Sequence, residues 1–170
     1  MRKMGTAKLR RTEITPDLGS LRSSWKAVAL VALALSSSAR GALGGSPDSV
    51  RVDQAHMKAS LAATQTDRYT VNEIKTPAGT VVREYVSAGR VFAVAWQGPF
   101  VPDMRQLLGT YFAQYSRGVS ARRESTVGRR FLDIQTPGLV VQTAGHMRAY
   151  FGRAYDPTLL PAGVGPHDVR

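Results

Sequence analysis

The feature that most constrains this chain is the run at residues 69–115, YTVNEIKTPAGTVVREYVSAGRVFAVAWQGPFVPDMRQLLGTYFAQY, where three strand-like segments and two glycine turns lead into one helical stripe. Thr76-Pro77-Ala78-Gly79-Thr80 suits a tight hairpin, since proline presets φ at the first corner and glycine accepts positive φ at the last. Ala88-Gly89 closes the next turn in the same way. Pairing Thr76 with Thr80 and Ser87 with Arg90 then fixes every cross-strand neighbour by alternation. One face is expected to carry Val71, Tyr85 and Phe92 in a row, then Glu73, Arg83 and Val94, then Lys75, Val81 and Trp96. The other carries Asn72, Glu84 and Ala93, then Ile74, Val82 and Ala95. Both faces are largely apolar, so both are expected to be at least partly covered.

Spacing predicts the helix that follows. Asp103, after Pro99 and Pro102, is a good N-cap because its carboxylate accepts orphan amides of the first turn. Met104, Leu107, Leu108, Tyr111, Phe112 and Tyr115 then form one apolar stripe. Each large side chain buried contributes roughly 1.5 to 3 kcal/mol, which outweighs about 1 kcal/mol for Gly109 in mid-helix. Gly118 is read as the stop.

The formal charge of +11 suggests nucleic acid until it is located. Eight of the 23 Lys and Arg lie in residues 1–40 against two acidic residues, which leaves 15 basic and 10 acidic residues, or +5, in the remainder. Within the leader, a basic stretch ends at Lys26, an apolar nonamer spans residues 27–35, and small residues interrupted by Arg40 run to Ala42. That order describes a secretory signal peptide over residues 1–42, cut after Ala39, Gly41 or Ala42. Nine residues are too few for a bilayer span, which needs about 20. The chain has no cysteine, so thiol catalysis, disulfides and cysteine metal sites are excluded.

Residues 43–47 read as a flexible entry, and residues 48–63 as a helix whose modest apolar face is Val52, Ala55, Ala59, Ala62 and Ala63. Residues 64–68 read as a polar link. Residues 116–130 hold five arginines among serines and glycines and read as a solvated loop, with a cationic patch as the functional reading. Segments 131–135, 139–144 and 146–151, with turns at Thr136-Pro137-Gly138 and Gly145, read as a second meander. Residues 152–170 are expected to be irregular, with Leu159 and Leu160 docking on the body; the domain itself is placed at 43–156 and the tail at 157–170.

No catalytic constellation stands out. His56, His146 and His167 have no ligand spacing, so no metal is expected. Glu73 and Glu84 fall on opposite faces, and Glu73 meets Arg83 as a cross-strand ion pair. Neither a nucleophile elbow nor a phosphate-cradling glycine loop is present. A sheet-helix cleft lined by Arg83, Tyr85, Phe92 and Trp96 is the candidate ligand site.

Taken together, the LGG after the leader, YTVNEI at Tyr69, PAGTVVREYVS at Pro77, VFAVAWQGP at Val91, PDMRQLLG at Pro102, GHMR at Gly145 and GRAY at Gly152 resemble the exported proteobacterial family called domain of unknown function 2844. The resemblance implies an exported single-domain protein and carries over no site residue. The expected fold is α+β: an antiparallel sheet of about six short strands in two meanders, a central amphipathic helix and an N-terminal helix. One sheet, two layers and a partly closed barrel all fit the pattern. The expected function is a non-catalytic periplasmic or secreted binding protein for an unknown envelope partner or small ligand, with no cofactor, no nucleic acid and no membrane span after processing. The alternative is an envelope hydrolase built from Glu84, His146 and a tyrosine.

Overall fold

The computed structural model describes residues 42–124 and 131–170; the leader, including the apolar nonamer, lies outside them. Helix α1 (Asp48–His56) opens the fold. Strands β1 (Ser60–Gln65), β2 (Thr70–Lys75), β3 (Val81–Ser87) and β4 (Arg90–Gly98) follow. Helix α2 (Met104–Leu108), a 3-10 turn (Gly109–Tyr111) and helix α3 (Phe112–Glu124) precede β5 (Phe131–Thr136), β6 (Leu139–His146) and β7 (Ala149–Tyr155). All seven strands join one antiparallel sheet in the order β1-β2-β3-β4-β7-β6-β5. The α+β class and the two meanders stand as expected, with one sheet and one more strand.

The additional strand is β1. Residues 60–65 pair with β2 rather than continuing α1, which ends at His56. The helix is also turned differently from the apolar pattern: Ser49, Val50 and Asp53 are buried, whereas Val52 is 58% exposed. A weak apolar face yields here to the polar anchor that Asp53 finds below the helix.

Both glycine turns form as read. Thr76 N–H donates to Thr80 O at 2.9 Å, Gly79 has φ 87, and Ala88-Gly89 have φ 48 and 72. The β2–β3 register sets Val71 opposite Tyr85 and Glu73 opposite Arg83, as alternation requires. The β3–β4 register does not persist. Val86 faces Val91 but Tyr85 faces Ala93, so Phe92 is the extra residue of a bulge, and its carbonyl accepts Asp156 N–H at 3.1 Å. The one-residue shift carries Val94 and Trp96 to the helix side.

The helix side packs Ile74, Val82, Val94, Trp96, Val141 and Ala154 under Leu107 and Leu108. Asp103 caps α2 through Arg105 N–H (2.8 Å) and Gln106 N–H (3.3 Å). Gly109, at φ 49, breaks the stripe into α2 and α3. Gly118 does not stop α3; a Cβ there would come within 2.8 Å of Ile134, so its role is close approach of helix and sheet. The arginine-bearing segment is accordingly helical through Glu124, and residues 125–130 lie outside the described chain.

The other face packs Tyr85, Phe92, Val140 and Tyr155 under residues 156–170, which contribute Leu159, Leu160, Val164 and Val169. The second meander turns at Met147-Arg148 rather than Gly145, and β7 runs to Tyr155.

Candidate functional site

On the face opposite the helices, β1, β2 and β3 and the end of the tail border an open groove of about 630 Å³. Its working groups are Tyr69, Glu73, Arg83, Tyr85, Asp168 and Arg170. Arg83 Nε donates to Glu73 Oε2 at 2.9 Å, with the side chains 30% and 43% exposed, so the expected cross-strand pair forms at the groove wall. Tyr85 O–H donates to Arg170 O at 2.5 Å, while Arg170 N–H donates to the same hydroxyl at 3.0 Å. Burial raises the Tyr85 pKa, against the Arg170 backbone bond and the nearby arginine charges. Tyr69, Tyr85 and Phe92 form an aromatic cluster with centroids 5.8 to 6.0 Å apart. The groove thus offers a cation, a carboxylate and an aromatic floor, a set suited to recognition rather than bond cleavage.

The expected cleft of Arg83, Tyr85, Phe92 and Trp96 is brought together only in part. Arg83 and Tyr85 line the groove, Phe92 lies beneath it with no exposed surface, and Trp96 is on the helix side of the sheet because of the bulge. Trp96 instead borders a second groove of about 470 Å³ with Phe131, Ala144, Phe151, Val169 and Arg170. Phe131 and Phe151 are 50% and 55% exposed there.

A different cluster was not legible in the sequence. Asp53 on α1 and Glu84 on β3 are both wholly buried, and the Gln106 amide of α2 donates to Asp53 Oδ1. Burial pushes the Glu84 carboxyl up to about 9, and the neighbouring Asp53 carboxylate acts in the same direction. Burial raises Asp53 too, opposed by Gln106, Glu84 and His56. At neutral pH Glu84 is therefore a protonated acid, and among the described residues neither of its oxygens has a partner at hydrogen-bond distance. The Gln106–Asp53 bond ties α2 to α1 above Glu84, and both carboxyls lie out of reach of solvent. Glu84 could be placed on the face opposite Glu73 from alternation, but nothing local marked Asp53 as its partner.

The structure does not bring Glu84 to His146. His146 sits exposed at the end of β6, opposite Ala149, whereas Glu84 faces Asn72 and Val94 in mid-sheet. Strands β4 and β7 stand between them, which alone separates the two by about 14 Å at a strand spacing near 4.8 Å. His56 is exposed on α1, and His167 lies 3.4 Å from Asp168 Oδ2 with its side chain 84% exposed.

Residues 39–169 match the family described as Protein of unknown function (DUF2844). The chain belongs to that family. The matched segment contains the whole described domain except the terminal Arg170. No curated protein and no solved structure matches the chain.

Proposed function

We propose that this member of the DUF2844 family is an exported, non-catalytic binding protein that engages its ligand or envelope partner on the sheet face opposite the helices. The observation that carries the reading is the contrast in access. Among the described residues, the strongly perturbed carboxyl pair is sealed in the core, while Glu73, Arg83 and the edge of Tyr85 face an open groove. Acid–base catalysis needs its groups within reach of substrate; recognition needs what the groove offers.

Export rests on the leader, and the burial at the start of the domain bears on where it would be cut. Ala42 and Leu43 are buried, and Leu43 N–H donates to Leu107 O at 3.0 Å. Cleavage after Gly41 or Ala42 would set a charged amine in that apolar position, which is costly. That cost favours the junction after Ala39.

Two measurements test these points. Intact mass of protein recovered from the envelope fraction should begin at Arg40; an intact Met1 on protein retained in the cell interior contradicts export. Amide NMR during titration with envelope-extract fractions should shift Tyr69, Val71, Arg83 and Arg170. Shifts confined to α1 and α2 would place recognition elsewhere.

A further inference from the structure

The two edges of the sheet are built differently. On β5, Asp133 places a carboxylate in mid-strand, and Arg122 of α3 reaches the Phe131 carbonyl at 3.5 Å. A charge on an edge strand and a side chain over its carbonyls both oppose further pairing. Strand β1 has neither. Its sequence SLAATQ contains no charge, proline or glycine, its pairing with β2 is regular over all six residues, and all but Leu61 are exposed.

Its free hydrogen-bonding groups can be identified. Thr66 N–H donates to Tyr69 O at 2.9 Å, closing the β1–β2 hairpin. Alternation in an antiparallel ladder then turns the N–H and C=O groups of Ser60, Ala62 and Thr64 toward β2. Those of Leu61, Ala63 and Gln65 point away from the sheet.

We propose that β1 pairs with β1 of a second copy of this chain, antiparallel about a two-fold axis at Ala63, to give one continuous sheet across the dimer. In that register Ala63 faces Ala63 and Leu61 faces Gln65 of the second copy, so all six outward groups are paired. Ala62 faces Thr64, and no like charges meet within the strand. The flanks favour a second copy over an unrelated strand. Lys58 precedes β1 and Asp67 and Arg68 follow it, so the antiparallel axis sets Lys58 of one copy opposite Arg68 and beside Asp67 of the other. Arg68 is held away by its bond to Gly163 O at 2.5 Å. Because Ala62 and Thr64 also border the groove, the pairing sets two grooves side by side. This assembly is independent of what the groove binds.

The test is sedimentation equilibrium on the 170-residue chain, from low-micromolar to near-millimolar concentration, for wild type, Ala63→Pro and Ala63→Lys. Proline at 63 removes an N–H that the β1–β2 ladder does not use, and lysine sets two like charges face to face. Wild type is expected to approach twice the monomer mass, and each substitution to weaken association at least about tenfold, the fold-change given by about 1.4 kcal/mol. Hydrogen exchange of the wild type supplies a readout that does not depend on the variants folding. Leu61, Ala63 and Gln65 amides should become protected as concentration rises, while Ala62 and Thr64 are protected throughout. A mass that stays monomeric, or a dimer in which those three amides remain open or which both substitutions leave intact, overturns the proposal.

Discussion

The two faces of this sheet are covered by different means. On the helix side, Leu107 and Leu108 close an apolar layer over Val82, Val94 and Trp96, and the carboxyls inside it hold a proton. On the other side the cover is an irregular tail tied down by polar side chains bonding its backbone. Arg153 donates to Pro166 O and to Val169 O (3.4 Å), Arg83 Nη1 to Arg170 O (3.3 Å), and Tyr85 bonds both backbone groups of Arg170. Side-chain packing excludes water, whereas backbone ties leave grooves beside them. The contrast teaches that a single sheet supplies a rigid, dry half and an accessible half, and that the accessible half has the lower local stability.

Substitutions break that contrast unequally. The largest loss is expected at Gly152, where a Cβ would lie 2.3 Å from the Trp96 ring. Gly152→Val should cost about 3 kcal/mol or more in urea unfolding, and a loss below about 1 kcal/mol would mean that the helix side is loosely packed.

Next comes Glu84→Gln. A folded pKa of about 9 against an ordinary 4.5 means that the folded chain holds a proton the unfolded chain releases between those values. The stabilisation is complete below about pH 4.5 and is lost as pH rises through about 9. The variant, which has no carboxyl to titrate, should flatten that decline and exceed wild type by more than about 1 kcal/mol at pH 9, since one pKa unit corresponds to about 1.4 kcal/mol. An unchanged slope in thermal melts across this range would count against the dyad.

On the tail side effects should be smaller. Tyr85→Phe removes the hydroxyl that holds Arg170 and should cost about 1 kcal/mol, with faster amide exchange confined to residues 164–170. Arg83→Ala breaks a partly exposed ion pair and should cost below about 1 kcal/mol, while weakening recognition in the groove. A global loss from Arg83→Ala as large as that from Gly152→Val would abolish the distinction between the faces.

Local chemistry made much of this legible. The Thr76–Thr80 and Ala88-Gly89 turns, the Asp103 cap and the Glu73–Arg83 pair depend on residues near in sequence or on one uninterrupted register. What escaped depended on tertiary competition. Residues 60–65 have helix-friendly alanines yet form an edge strand, because β2 offers a ladder that a lone weak helix cannot match. The Phe92 bulge moved Trp96 across the sheet, and no glycine or proline marked it, because the extra residue is accommodated by Asp156 from a distant segment. Asp53 gave no local signal, since its burial follows from Gln106 and Glu84, residues 53 and 31 positions away.

The most direct test of the division between the faces is a carboxyl 13C NMR titration of Glu84 in the intact protein. The dry helix side predicts a carboxyl still protonated at pH 7, with its midpoint near 9. A midpoint near 4.5 would show water at Glu84, contradict the sealed half, and return its carboxyls to consideration as working groups.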